Sequence, residues 1–273
     1  MPISTSEKRA AFRGLHQSGC FTLPNPWDVG SARYLQSMGF KALASTSAGF
    51  AWSIGKADNQ VTRSDVLDHL TALCAATDLP VNADFEGGFA DDPEGVAASV
   101  RLAVATGVAG LSIEDRCSDP TAPLYDDALA LERIHAARAA IDETDSGVML
   151  VARCEGLLVG VNDLDFIIRR MVAFAEAGAD CLYAPGVGTP EQISALVAAV
   201  APKPVNVLLG FGPLTVADLA ALGVRRVSVG GSLARAAWGG FLAAAREIAA
   251  DGTFTAFASA ARGSELNQMF RGV

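Results

Sequence analysis

A repeating period constrains this chain more than any single motif. Short apolar runs near residues 21, 42, 81, 110, 149, 181, 206 and 227 are each followed by a stretch with helical spacing. Runs of this length, bounded by turn residues and alternating with helices, read as βα units of a parallel sheet. Eight such units within 273 residues predict a (β/α)8 TIM barrel of the α/β class. The expectation is one domain over residues 1–273, with extra C-terminal helices over about 233–273. A doubly wound open sheet is the alternative, but it calls for a glycine-rich dinucleotide fingerprint after the first strand. This chain has Pro24-Asn25-Pro26-Trp27 there.

The strands end in polar residues, and the barrel gives that pattern a meaning. Val81-Asn82-Ala83-Asp84-Phe85-Glu86-Gly87-Gly88 begins as a buried run and breaks into carboxylates and glycines. If extension persists, Asn82, Asp84 and Glu86 point to one side. Glu114, Arg153 and Glu155, Tyr183, Asn206 and Ser232 stand at or near the ends of later strands, and Ser45 at the end of the second. In a barrel all of these ends converge on the face where such folds place their chemistry.

Composition excludes several classes of function. A net charge of −9 without a basic cluster argues against nucleic acid and against an anionic membrane surface. No 18-residue uncharged apolar run occurs and the first residues lack an apolar signal core, so a soluble, cytoplasmic protein is expected. Five scattered cysteines fit a reducing compartment, and three histidines in helix-like stretches do not make a zinc site.

Strand-end carboxylates suit a hard cation with oxygen ligands, so Asp84 and Glu114 on adjacent strands are candidate Mg2+ or Mn2+ ligands. Asn82, Glu86 and Asp58 are further candidates; Asp58 also reads as a plain turn residue beside Asn59. Arg153 is placed to clamp a substrate carboxylate, or to pair structurally with Glu155 or Glu114. Ser45, Thr46 and Ser47 form either an anion cradle or a Ser/Thr turn, and Asn206 is a candidate substrate contact. A cation that chelates a 2-keto acid beside an arginine suits reactions passing through an enolate.

In order along the chain, Asn25-Pro26-Trp27-Asp28, the Ser45 loop with Asp58, Asn82-Ala83-Asp84, Ser112-Ile113-Glu114-Asp115, Ala152-Arg153, Ala184-Pro185-Gly186 and Leu266-Asn267-Gln268-Met269-Phe270 resemble the isocitrate lyase and phosphoenolpyruvate mutase superfamily. The 2-methylisocitrate lyases within it are similar, apart from one catalytic loop. The resemblance implies a Mg2+-dependent lyase or hydrolase acting on a small 2-keto or 2-hydroxy di- or tricarboxylate, with carbon–phosphorus chemistry or a catalytically silent keto-acid-binding barrel as alternatives. It also implies a homo-oligomer, a tetramer or dimer, in which the C-terminal helices pack on a neighbouring subunit. By position, Asp84 and Glu114 match the acidic metal-site residues and Asp58 an outer-shell aspartate. Arg153 matches the carboxylate-binding arginine, and Trp27, Ser45 and Thr46 match keto-acid contacts.

Two departures stand out. Asn82 occupies a position where the superfamily has a metal-bound aspartate, which gives up one negative charge unless Glu86 compensates. The loop after Asp115 lacks the Lys-Lys-Cys-Gly-His run of the lyases and reads Arg116-Cys117-Ser118-Asp119-Pro120-Thr121-Ala122-Pro123-Leu124-Tyr125. Cys117 is the catalytic acid or base candidate in that loop, without the Lys and His that would lower its pKa; Tyr125 and Asp119 are the other candidates.

Overall fold

A computed structural model describes residues 3–210 and 212–271. Eight parallel strands are present: β1 (Phe21–Leu23), β2 (Leu43–Ala44), β3 (Val81–Asp84), β4 (Gly110–Glu114), β5 (Met149–Arg153), β6 (Cys181–Tyr183), β7 (Val205–Leu208) and β8 (Arg226–Ser228). They hydrogen-bond in the order β1-β8-β7-β6-β5-β4-β3-β2. The seam between β1 and β2 is bridged by the Ala44 N–H, which donates to the Pro24 carbonyl at 3.1 Å. The sheet therefore curls into the expected (β/α)8 barrel, a closure that leaves no open edge.

Asn25 completes this seam from inside the protein. Its side-chain nitrogen donates to the Ser45 carbonyl at 2.9 Å, while Oδ1 accepts from the N–H groups of Val229 and Gly230, each at 2.9 Å. One buried amide thus ties the ends of β1, β2 and β8 together.

The helices start where the sequence punctuates them. Ser4 and Glu7 form a reciprocal capping box on α1 (Thr5–Leu15), as Asp28 and Ser31 do on α2 (Val29–Ser37). One helix has no counterpart in the sequence pattern. Thr46 accepts from the Gly49 N–H at 3.3 Å and so caps α3 (Ser47–Ser53), which precedes α4 (Arg63–Ala76). The Ser45-Thr46-Ser47 stretch is a helix start rather than a simple turn, because the Thr46 side chain is used as the cap.

The remaining crossovers are α5 (Pro93–Ala105), α6 (Asp127–Asp142), α7 (Leu164–Glu176) after a 3-10 turn at Gly156–Val159, α8 (Pro190–Val200) and α9 (Val216–Ala221). Their apolar stripes bury Val96, Val100, Ile134, Ile167, Phe174 and Leu196 against the sheet.

The inward side of the sheet is not uniformly apolar. Paired residues run Glu114, Arg153, Tyr183, Asn206, Arg226 from β4 to β8. This row begins at the last residue of β4 and finishes at the first residue of β8, so strand tilt carries it from the barrel mouth down toward the floor. Side chains paired across one row share a face, so a line of polar groups descends through the interior.

Beyond β8 the chain forms α10 (Ser232–Asp251), a 3-10 turn (Thr255–Ser259) and α11 (Gly263–Arg271). Within α10 only Ala234 is fully buried, and Trp238, Phe241, Phe254 and Phe257 are exposed along this extension. No described helix is long and apolar enough to cross a membrane.

Replacing Asn25 by alanine leaves the Ser45 carbonyl and the two N–H groups of the β8 loop without partners. Denaturant titration is expected to register a loss of about 3 kcal/mol in unfolding free energy; a loss within error of zero would remove Asn25 as the seam's tie.

Candidate active site

The carboxylates of the barrel mouth gather around one guanidinium. Arg153 Nη1 lies 3.2 Å from Asp84 Oδ1 and 3.4 Å from Glu114 Oε2, and its Nε donates to Glu155 Oε1. The Arg153 guanidinium also lies over the Tyr183 ring, 5.2 Å from its centroid. Arg153 thus bonds to three acids, and it also lines the cavity of the barrel mouth.

Asp84 is locked at the end of β3 by groups from the neighbouring loop. Its N–H donates to Ser45 Oγ at 2.8 Å, and its Oδ2 accepts from the Ser47 N–H, at the start of α3, at 2.9 Å. That amide, a candidate anion donor by sequence, is already satisfied by Asp84. The carboxylate in turn sits at the N-terminus of α3.

Extension does not persist past Asp84, so Glu86 reaches the cluster by another route. Its backbone has φ of 49°, left-handed for a non-glycine residue, and its carbonyl accepts from the Glu114 N–H at 3.0 Å. Strain of this kind costs on the order of 1 kcal/mol and collects at functional sites. The Glu86 Oε1 atom is buried without a hydrogen-bond partner. Burial first, then the charges of Asp84 and Asp58, push its carboxyl up to about 7. Burial likewise raises Glu114, with Glu155, Asp84 and Glu86 adding to the rise against the pull of Arg153. Asp58, carried on an exposed loop, is raised by burial of its carboxyl and by Asp84.

Three acids sharing one arginine, with the unpartnered Glu86 oxygen beside them, form a donor set that suits a further cation. Among the described residues no three acidic, histidine or cysteine groups stand close enough to ligate one ion directly. Hard cations such as Mg2+ keep several waters and take only one or two carboxylates, so these donors fit an ion held partly through water.

Two cavities meet at this wall. One, of about 170 Å3, lies in the barrel mouth and is lined by Ser45, Asp58, Asp84, Arg153, Tyr183 and Arg226 among others. Another, of about 460 Å3, lies under the loop after β4 and is lined by Glu86, Glu114, Cys117, Asp119 and Tyr125 among others. That loop is a small hairpin: Arg116 bridges Leu124, and the Cys117 N–H donates to the Pro123 carbonyl at 2.9 Å. The Cys117 thiol faces the Ala122 carbonyl at 2.8 Å.

At the root of the loop, Asp115 is buried, accepting from the Glu155 N–H at 2.8 Å and from Arg170 at 2.9 Å. The Tyr125 hydroxyl donates to Asp91 at 2.5 Å, and burial followed by that bond raises its pKa.

Ser45, Thr46, Ser47, Asp58, Asn82, Asp84 and Arg153 thus line the mouth cavity, with Glu86, Glu114 and Cys117 beside it. Three candidates sit differently from their sequence reading. Trp27 lies in an outer groove with Ser53, Trp238 and Phe241, because the chain turns outward into α2 after Asn25. The Asn82 oxygen is taken by Arg226 at 3.3 Å, and Asn206 bonds Arg226 and Ser228 instead of lining the mouth cavity. Sequence reasoning misses Arg226, Ser228 and Asn25 as site residues. An arginine opening an otherwise apolar strand, as in Arg226-Val227-Ser228, is the available signal for the first.

Residues 12–249 match the phosphoenolpyruvate phosphomutase family. The chain belongs to that family. Within the wider phosphoenolpyruvate mutase and isocitrate lyase superfamily, a solved Burkholderia cenocepacia chain with a provisional lyase/mutase assignment is 49% identical. It superposes with a TM-score of 0.95 over 98% of this chain and 97% of its own. An uncharacterised Mycobacterium tuberculosis protein is 35% identical over 222 residues, 81% of each chain. The 2-methylisocitrate lyase of Escherichia coli is 33% identical over 170 residues, 59% of this chain and 54% of its own. The superfamily contains lyases, mutases and hydrolases.

The raised Glu86 carboxyl has a measurable consequence for this phosphomutase-family chain. A folded pKa of about 7 against a normal value of 4.5 means the folded state holds the proton longer. Its contribution is full below about pH 4.5 and lost as pH rises through about 7. In chelator, unfolding free energy of the wild type is expected to decline across that window more steeply than that of Glu86→Gln; identical pH profiles would count against the assigned environment.

Proposed function

We propose that this chain is a Mg2+-dependent lyase that breaks a carbon–carbon bond beside the carbonyl of a small 2-keto or 2-hydroxy di- or tricarboxylate. The observation that carries this reading is the unpartnered Glu86 oxygen among Asp84, Glu114 and Asp58, an excess of negative charge that Arg153 alone does not balance. Mg2+, or Mn2+ in its place, supplies when bound the positive charge that an oxyanion developing next to the broken bond requires.

The chain's own groups account for the rest. Arg153 holds the carboxylates of the wall in position and keeps its planar cation at the edge of the mouth cavity, beside Tyr183. Ser45 and Ser47 keep Asp84 aimed at the cavity through backbone and hydroxyl bonds. The hairpin over residues 116–125 covers the second cavity and keeps water from a carbanionic centre there, with Cys117 as its candidate proton donor. Family members that act on small carboxylates, 2-methylisocitrate lyase among them, support the substrate class.

Keto-acid release from 2-methylisocitrate, isocitrate, 2,3-dimethylmalate, oxaloacetate and phosphonopyruvate tests the reading directly. One carbon–carbon substrate is expected to turn over with Mg2+, and its rate to fall about 100-fold or more with chelator or with Asp84→Ala. Turnover of phosphonopyruvate alone would replace the proposal with carbon–phosphorus chemistry, and tight keto-acid binding without any turnover would make the barrel a binding protein.

We also infer a homo-oligomer, a tetramer or dimer, built on the C-terminal extension. Trp238, Phe241, Phe254 and Phe257 are exposed along it, an apolar surface that a neighbouring subunit would cover. Deletion of residues 261–273 is expected to reduce the mass measured by light scattering; an unaltered mass would remove those last residues from the interface.

A further inference from the structure

Charge in the barrel interior is unequally shared between two arginines. Arg153, near the mouth, has three carboxylate partners. Arg226, at the first residue of β8, is 3% exposed and, among the described residues, pairs with no carboxylate. Its Nε donates to Asn206 Oδ1 at 2.8 Å and its Nη1 to Asn82 Oδ1 at 3.3 Å, both neutral amides. Those bonds engage two of the five N–H donors of a guanidinium. The titratable groups acting on it are Cys181 and Tyr183, both raised by burial and so uncharged at neutral pH, together with the buried His16, lowered by burial to about 3 and equally uncharged.

A buried cation without a counter-ion is costly unless an anion comes to it. Arg226 also lines the mouth cavity, with Asn82, Ser112 and Ser228 around it and Asp84 on the wall. An anion therefore has a place to bind beside Arg226, one of small-metabolite size.

We propose that Arg226 is the carboxylate-binding arginine of the cavity floor. With Ser228 and the amide of Asn82 beside it, it receives one anionic end of a small dicarboxylate whose other end reaches toward Asp84, where a bound cation would offset the acids. This gives Asn82 a defined role, since an uncharged side chain at that position leaves Arg226 unneutralised, whereas an aspartate would occupy it. The dicarboxylate rests on the lyase reading above, while the anion site rests on Arg226 itself.

Calorimetric titration of malonate into the full-length protein, in chelator and again with Mg2+, tests the assignment. Arg226→Met is expected to weaken malonate binding about ten-fold or more in both buffers. It is also expected to melt no lower than wild type, since methionine carries no unpaired charge into the barrel. A merely structural arginine would show the reverse, a lower melting temperature with malonate affinity kept. Should Arg226→Met not fold, Asn82→Asp provides the second reading, because its carboxylate pairs with Arg226 and is expected to raise the melting temperature while weakening malonate to a similar degree. Malonate affinity equal to wild type in either folded variant, or no malonate binding to wild type, overturns the site. Malonate binding that depends on Arg226, with no keto acid released from any substrate, would sink the lyase and leave the site standing. Turnover with an unchanged KM in Arg226→Met would do the opposite.

Discussion

The interior of this barrel is organised by Arg153, the one guanidinium that Asp84, Glu114 and Glu155 share. Three carboxylates drawn from the ends of β3, β4 and β5 would repel one another strongly in a medium of low polarity. A planar cation with several donors holds them at fixed separations, and the Tyr183 ring backs it from β6. Four neighbouring strands thereby have their C-terminal ends set by one charge network, and both cavities are defined by its walls. The network remains acid-rich, and burial, with the neighbouring acids adding to it, raises the Glu86 and Glu114 carboxyls.

The loops at the mouth are built to serve that network. Asp115, one residue beyond Glu114, faces away from the cavity and bonds both the Glu155 N–H and Arg170 on α7. Arg170 also binds the Tyr125 carbonyl at 2.9 Å and the Asp127 carboxylate, so both ends of the hairpin over residues 116–125 are tied to one helix. On its other side Tyr125 packs under the Arg133 guanidinium, 4.0 Å from ring centroid to Cζ. The hairpin tip, with Cys117 and Asp119, is left with local bonds only, and a segment so held can adjust to a ligand without disturbing the barrel.

Depth separates two kinds of polar chemistry in this fold. At the mouth the balance is negative and suits a hard cation; on the floor it is positive at Arg226, with amides rather than acids for company. Asn82 belongs to this division, since its oxygen is directed to the arginine below instead of to the carboxylates above. An anionic end fits the floor of such a gradient, and the mouth would accept a second one only beside a bound cation.

Much of the fold was legible in the sequence. Eight apolar runs, the Ser4 and Glu7 capping box, the Asp92-Pro93 helix start and the absence of a dinucleotide fingerprint are local patterns, and local patterns set secondary structure and βα order. That Asp84, Glu114 and Arg153 converge was also readable, because the last residues of adjacent parallel strands in a barrel share one face. What lay beyond reach depends on register and backbone detail. Glu86 enters the site through a left-handed turn, not by strand alternation. Trp27 leaves it because the chain bends into α2, and Asn82 meets Arg226 only through a tilt that joins residues 144 positions apart. Sequence by itself determined which residues could stand at the mouth; tertiary structure alone decided which charges meet there, since pairing across a closed barrel is set by strand shear and not by any neighbour along the chain.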